Sequence, residues 1–323
     1  MIARRHLALA ALPLLARPAL AQGGAWPNRT IRLIVPWPPG QATDLVGRIM
    51  AQRLSEKLGQ QVVPENKAGA GGSIGTDFVA KAAPDGYTLL AASIGPISFG
   101  PLLHRLPYDV ERDLAPIATF SGSPYFLVVR ADSPATDAQS LLAMLRRNPG
   151  KHTYASSGVG GAQHLLTALF VARTEVDVLH VPFQGSGPAM AALLGGQVDF
   201  AIETLAACGA LIREGKLRAL GSTVARRTAL MPEVPPLSEV ANLPGYDYLG
   251  WIGLMAPAAT PRPILDRLSA ELAAASALEE TRQRLATIGT EASPRGPDEF
   301  RALLAEQRVA FGAVIRQLGI RPD

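Results

Sequence analysis

Two short stretches carry residue types at a spacing that could hold an anion. They are Pro36-Trp37-Pro38-Pro39-Gly40-Gln41-Ala42-Thr43-Asp44 and Ser156-Ser157-Gly158-Val159-Gly160-Gly161. Each follows a β-type apolar run and precedes a helical pattern. In the first, the prolines stiffen the loop, and Gly40 permits a positive φ or close backbone approach. Thr43 is of the type expected at a helix N-cap. In the second, three glycines leave backbone amides open and two serines add hydroxyl donors. Free N–H groups at a helix start favour an anion such as a carboxylate. A glycine-rich strand-to-helix turn can also be nothing more than a turn. Two of them, one in each half of the chain, are more telling, because open α/β sheets bind ligands at the carboxyl ends of their strands. The expected chemistry is recognition by neutral donors at one shared cleft.

Other stretches compete for a chemical role. Gly71-Gly72-Ser73-Ile74-Gly75 fits the G-x-S-x-G nucleophile pattern, but a nucleophile elbow needs a strand running straight into the turn. Pro64 to Gly71 separates Ser73 from the nearest expected strand, so a turn followed by a helix start is the expected structure. An exported serine hydrolase using Ser73 stands as the rival. No dinucleotide fingerprint is completed, because Ile74 and Gln163 occupy the sixth positions after Gly69 and Gly158. His104, His152, His164 and His180 lack metal-ligand spacing; surface or hydrogen-bonded core roles are expected, with no metal and no cofactor. Cys208 is the single cysteine and follows Leu205-Ala206-Ala207. It is expected as a small buried apolar group, with no internal disulfide.

The elements that must position these loops alternate along the chain. Strand-like runs fall at 30–35, 61–63, 88–92, 126–129, 152–155, 176–181, 198–202, 217–223 and 252–255. Helical patterns fall at 43–58, 74–82, 138–147, 162–172, 189–194 and 206–213, and three more, 264–275, 278–288 and 297–318, close the chain. This rhythm predicts α/β architecture with mostly parallel sheets. It occurs twice, from Ile31 and again from His152, and implies two similar lobes. The 323 residues are 48% apolar and 18% charged, ample for packed cores, and the 31 glycines and 27 prolines are scattered as single turns.

Residues 1–21, MIARRHLALAALPLLARPALA, combine a basic start, a short apolar stretch and the small-x-small pattern Ala19-Leu20-Ala21. This reads as a cleaved signal peptide for export to the periplasm; Arg4-Arg5 leaves the general and twin-arginine routes both open. The apolar stretch is short of the roughly 20 residues that span a bilayer. Removing Arg4, Arg5 and Arg17 takes the formal charge from +4 to +1, which leaves no electrostatic footprint for nucleic acid.

At this point the chain resembles the Bug/TctC family of periplasmic solute-binding receptors, which are associated with tripartite tricarboxylate transporters. The resemblance runs through IVPWPPGQATD (34–44), ENKAGAGGSIG (65–75), APDGYTL (83–89), LPYD (106–109), YASSGVGGAQHL (154–165), HVPFQGSGP (180–188), GGQVDF (195–200), GKLRAL (215–220) and WIGLMAP (251–257), in that order. It implies a two-lobed, type II-like periplasmic binding fold with the ligand cleft between the lobes. Lobe 1 would be 22–124 with 252–323, and lobe 2 would be 125–251. It implies a monomer that captures a small carboxylated metabolite without catalysis and delivers it to membrane transporter subunits. A membrane sensor as the partner is the alternative. Carried onto this chain, the carboxylate would be gripped by Pro39, Gly40, Gln41, Ala42, Thr43 and Asp44 from lobe 1. Lobe 2 would add Ser156, Ser157, Gly158, Val159 and Gly160. Ser93, Gln184, Gly185, Ser186 and Glu203 would serve the distal part. Two departures stand out: Gln41 where the family often has glycine, and Glu203 where it commonly has aspartate. Gln41 points either into the cleft or to solvent. A carboxylate at 203 would repel a second ligand carboxylate and favour an ammonium or amide.

Overall fold

The protein is described by a computed structural model covering residues 26–317; the expected signal peptide lies outside these residues. The run IRLIV forms β1 (Ile31–Val35), and Ile31, Leu33, Ile34 and Val35 are all fully buried. Burial on both faces is the mark of a central strand under helices on either side. α1 (Ala42–Leu58) packs Val46, Met50 and Leu54 onto one face and stops at Gly59, φ +67°. β2 (Val62–Asn66), α2 (Ser73–Ala80) and β3 (Thr88–Ser93) follow, and β2, β1 and β3 pair in parallel. Two short helices, α3 (Gly100–Leu103) and α4 (Val110–Asp113), then lead into β4 (Leu114–Arg130).

The second parallel unit begins after α5 (Ala138–Arg147), whose start is closed by a capping box between Asp137 and Ser140. β5 (Thr153–Ser156), α6 (Ala162–Thr174), β6 (Leu179–Pro182), α7 (Ser186–Leu194), β7 (Phe200–Thr204) and α8 (Leu205–Arg213) repeat the rhythm, with β6, β5 and β7 parallel. β8 (Leu217–Ser222), α9 (Leu237–Val240) and β9 (Leu249–Pro257) return the chain to the first sheet. α10 (Arg262–Ala277), α11 (Glu279–Thr287), β10 (Glu291–Arg295) and α12 (Pro297–Gln317) complete it. α12 is tied back by Gln307, whose Oε1 accepts from Ser98 Oγ at 2.7 Å and from Trp251 Nε1 at 2.9 Å.

The 17-residue strand β4 joins the two sheets. Up to Pro124 it pairs antiparallel with β9, and with β10 at Thr119–Gly122; from Tyr125 onward its antiparallel partners are β7 and β8. Parallel trios thus form in each lobe as expected, and the antiparallel pairs come from the crossing strands. The sequence pattern marks only 126–129 of β4, because Pro116, Gly122 and Pro124 interrupt its first half. β10 (EASPR) is half exposed and carries no apolar alternation, so it too escapes the pattern.

Thr223 closes the crossing point. Its N–H donates to the Tyr125 carbonyl at 2.9 Å, and its carbonyl accepts from Tyr248 N–H at 2.8 Å. Its hydroxyl accepts from Tyr125 N–H at 3.1 Å and donates to the Tyr248 carbonyl at 2.7 Å. Thr223 is fully buried, so its hydroxyl cannot be replaced by solvent. Thr223→Val keeps the shape and leaves a buried donor and acceptor unmet. It should lower unfolding stability by about 1–3 kcal/mol in urea titration; a change within ~0.3 kcal/mol would refute this role.

Candidate functional site

The first loop leaves β1 at Pro36 and turns at Gly40, φ +86°. Asp44 holds it: its carboxylate accepts from Gly40 N–H at 3.0 Å, from Asn66 Nδ2 at 2.9 Å and from Arg48. Asn66 Nδ2 also donates to the Trp37 carbonyl at 2.9 Å. Burial raises the Asp44 carboxyl, but the bonds from Arg48, Gly40 and Asn66 outweigh it and hold the group below the usual carboxylate range. Asp44 is therefore engaged in the loop's own structure. Thr43 is not the N-cap expected from its type. The cap position is Gln41, with no side-chain capping bond, and Thr43 is the second residue of α1. The Asp44 carboxylate, reaching back to Gly40, does the work of fixing the helix start.

The second loop leaves β5 at Ser156. Ser156 Oγ lies 2.7 Å from His180 Nε2, and Gly160 N–H donates to His164 Nδ1 at 3.3 Å. Gly158 and Gly160 both take positive φ, at +134° and +78°. The helix α6 is capped by Gly161, without a side-chain bond, so Ser157 does not cap it. Ser157 Oγ is buried and has no hydrogen-bond partner among the described residues. His164 and His180 stack at 4.2 Å, and His180 stacks on Tyr154 at 4.8 Å. Burial pushes both imidazoles down to about 4, with a smaller contribution from a neighbouring histidine in each case.

The two loops converge on Trp37. Its ring is wedged between the lobes: a Cβ built on Gly95 would lie 3.3 Å from it, and one on Gly161 3.2 Å. Its Nε1 donates to Ser93 Oγ at 2.9 Å. Beside it lies a cavity of about 30 Å³, lined by Gln41, Ala42 and Thr43 at the start of α1 and by Ala162 and Gln163 at the start of α6. Ser93, Ser123, Tyr125 and Thr204 add polar groups to the wall, and Ile94, Trp251 and Ile252 add apolar ones. The starts of two helices from different lobes therefore face one small space. No lysine or arginine lines it. Admitting a ligand of several heavy atoms requires the lobes to part.

The expected residues divide accordingly. Gln41, Ala42, Thr43 and Ser93 line the cavity. Pro39, Gly40 and Val159 are exposed at the loop tips, and Gln184 is exposed as well. Ser156, Ser157, Gly158 and Gly160 form the loop behind the start of α6. Gly185 packs on Pro38, where an added Cβ would lie 3.1 Å from the ring. Ser186 Oγ accepts from Gln41 Nε2 at 3.2 Å, so Gln41 turns inward and bridges the lobes. Glu203 is fully buried behind Gln163, whose Nε2 donates to it at 2.9 Å. Burial raises the Glu203 carboxyl above its usual range, against bonds from Gln163 and Thr204. Trp37, Ser123, Tyr125, Gln163 and Thr204 line the site without having been singled out. Trp37 sits inside the first loop stretch, and Gln163 inside the family-like stretch 154–165, which were the available signals.

The rival chemistries lack their geometry. Ser73 Oγ donates to the Ala70 carbonyl at 2.8 Å, at a helix start preceded by a turn of Ala70–Gly72. The serine bonded to a histidine is Ser156. Cys208 is fully buried with its thiol pushed up by burial, and Sγ contacts the Thr204 carbonyl at 3.1 Å. Among the described residues no cluster of histidine, cysteine or acidic groups could hold a metal, and no helix is long and apolar enough to cross a membrane. Larger hollows, of about 900 and 530 Å³, lie beside the small cavity: the first shares Trp251 with it, and the second is lined by His104, which packs on Gly160.

The two-lobed α/β fold, with helix starts facing across a central cleft, is that of the periplasmic binding proteins. The chain belongs to the TctC family, the tripartite tricarboxylate transporter family receptors, whose profile matches residues 46–320. It is 42% identical to the UPF0065 protein of the tcbD–tcbE intergenic region in Pseudomonas sp. strain P51, over 91% of this chain and 88% of that one. Rhodopseudomonas palustris MatC, solved with bound malate, superposes with a TM-score of 0.85 at 32% identity, over 90% of this chain and all of that one. R. palustris Rpa4515, solved with adipate, gives 0.88 at 32%, over 92% of this chain and all of that one.

The depressed histidines set a pH dependence. A histidine with a folded-state value near 4 and an unfolded value of about 6.5 binds fewer protons when folded. Stability should therefore be flat above pH 6.5, fall as pH drops towards 4, and level off below it. Protonation of His164 at Nδ1 would also break its bond from Gly160. Urea melts between pH 7 and pH 4 should show this loss, and it should shrink in His164→Gln; a pH profile identical in that variant would reject the assignment.

Proposed function

We propose that this protein is an exported receptor that closes two lobes on a small carboxylated metabolite and delivers it to the membrane subunits of a tripartite transporter. The observation that carries the reading is the pair of helix starts, Ala42–Thr43 and Ala162–Gln163, lining one cavity with no side-chain cap on either helix. A helix start offers N–H donors and a positive dipole end, so a carboxylate is the complementary group. The acids held by MatC and Rpa4515 support the same class. The molecule acts as a monomer and binds without turnover. Residues 1–21 are removed on export. Lobe 1 comprises 22–124 with 252–323, and lobe 2 comprises 125–251, consistent with the exchange of β4's partners at Pro124 and Tyr125.

Thermal melts of residues 22–323 against aliphatic acids of two to six carbons, with their neutral diamides and methyl esters as controls, test this. A ligand that binds only the folded state stabilises it by about 2.7 kcal/mol at a hundredfold excess over Kd. Acids should raise the melting temperature and neutral controls should not. Stabilisation by the neutral series alone would remove the carboxylate from the reading.

Closure itself can be tested at Gly71. Its φ is +62°, and a Cβ there would lie 2.4 Å from the Val159 carbonyl oxygen of the facing loop. Gly71→Ala should hold the lobes apart and weaken the best acid by about tenfold, ~1.4 kcal/mol. Gly215→Ala has a similar φ of +68° and open space around it, so it should leave affinity unchanged. Equal affinities in calorimetry for the two variants would argue against closure at this contact.

A further inference from the structure

The polar groups behind the cavity form a directed network. Glu203 Oε1 accepts three bonds: from Thr204 N–H at 2.7 Å, from Gln163 Nε2 at 2.9 Å and from Thr204 Oγ1 at 3.1 Å. Ser186 Oγ accepts from Gln41 Nε2 at 3.2 Å and from Gln163 Nε2 at 3.5 Å. Ser186 thus acts as an acceptor for both glutamines, beside the Glu203 carboxyl. Every group in this chain is at most 7% exposed, so no solvent can compensate for a reversed amide.

An amide's oxygen and nitrogen lie on opposite sides of its carbon, and hydrogen bonding decides which way the group is turned. A carboxyl oxygen that already takes two donors from Thr204 remains an acceptor whether or not the group carries a proton on its other oxygen. Gln163 must then offer Glu203 its Nε2. Ser186 Oγ, which also takes Nε2 of Gln163, is likewise met by Nε2 of Gln41. Both glutamines line the cavity, and both turn their nitrogens away towards Ser186 and Glu203. We propose that Glu203, as a positioning residue that does not touch the ligand, fixes Gln163 and Gln41 with their carbonyl oxygens towards the cleft, and so selects an acid whose far end carries N–H or O–H donors over a dicarboxylate. The ligand class is a carboxylic acid with a terminal amide, ammonium or hydroxyl group. Two carbonyl oxygens reward such hydrogens and repel a second carboxylate, which has none to give. This rests on the carboxylate reading of the helix starts and adds the chemistry of the two glutamine side chains beside them.

The test is calorimetry with matched pairs that differ only at the far end: succinate against succinamate, and adipate against adipamate. The wild type should bind the monoamide of at least one pair ten times more tightly than its dicarboxylate. In Glu203→Gln the new amide can turn either way and releases Gln163 to present its NH₂, so the ratio should collapse towards one. A purely structural role would weaken both members equally and leave the ratio intact. Gln41→Ala, which removes one acceptor and a single bond to Ser186, should lower the ratio part of the way even where the 203 variant folds poorly. Dicarboxylates binding as well as their monoamides in the wild type, or an unchanged ratio in both variants, would overturn the proposal while leaving the carboxylate reading in place. Failure of every acid to bind would overturn that reading, and this inference with it.

Discussion

Backbone N–H groups in the first turn of a helix have no partner within the helix. This chain brings two such turns, from α1 and α6, to one enclosed space and caps neither with a side chain. Side-chain caps are few in this chain: Asp109 closes α4 and Asp137 closes α5, but α2, α7, α8, α10 and α11 also lack one, so the meeting of two open starts, and not the missing cap alone, marks the site. The uncapped donors at the cleft are the constraint that the rest of the molecule serves. β1 and β5 must end level with one another, the loops after them must be stiff, and the two sheets must be joined so that their carboxyl ends face. The crossing strand β4 and the Thr223 node supply the join. The Asp44–Asn66–Gly40 bonds supply the stiffness on one side, and the Ser156–His180 and Gly160–His164 contacts supply it on the other.

Electrostatics follow from the same choice. With no cationic side chain in the wall, an anion would be held by oriented dipoles and neutral donors. A buried arginine would add attraction at the cost of its own desolvation, several kcal/mol per ion. Fixed backbone dipoles carry little of that burden, because their donors are already in place and would have to be solvated in any case. A carrier that must release its cargo gains from a site that attracts a charge without a charged partner to be left stranded. Glu203 is consistent with this economy. It is buried and carries the means to be negative, but its bonds go to Gln163 and Thr204. The cavity therefore meets it only through the amides it orients.

The strands, the helices and the two loops were legible because each rests on local signals: apolar runs, helical spacing, and glycine or proline where the backbone must turn. The cap assignments were not. Thr43 has the right type for an N-cap, yet Asp44, one residue on, reaches back to Gly40 and moves the helix start to Ala42. Local propensity ranked the residue without seeing the competing bond. The first half of β4 hid behind Pro116, Gly122 and Pro124; the pairing with β9 shifts register just after Pro116 and again between Thr119 and Ser121. The cavity wall was least legible. Gln163 and Trp37 matter through what they meet across the cleft, Glu203 and Gly161, and nothing in a linear pattern announces a partner 40 or 124 residues away.

Glycine at the lobe contacts explains how the cleft can close and still reopen. Gly71 meets the Val159 carbonyl, Gly160 meets His104, and Gly95 and Gly161 flank Trp37. Each lets the facing group approach to where a Cβ would stand. Approach by backbone buries little apolar area, and burial yields only about 25 cal/mol per Å². One buried apolar cluster already runs through both lobes, from Ile34 and Phe99 to Leu165 and Tyr246, and these glycine contacts add little to it. The bond from Gln41 to Ser186 is one polar tie across the gap, of a kind worth about 1 kcal/mol net. On the proposed reading, a ligand's contacts with the two helix starts would favour the approach of the two loops. A receptor whose shape must report occupancy requires that its empty lobes gain little from meeting, and glycines at the contact surface meet that requirement where larger side chains would defeat it.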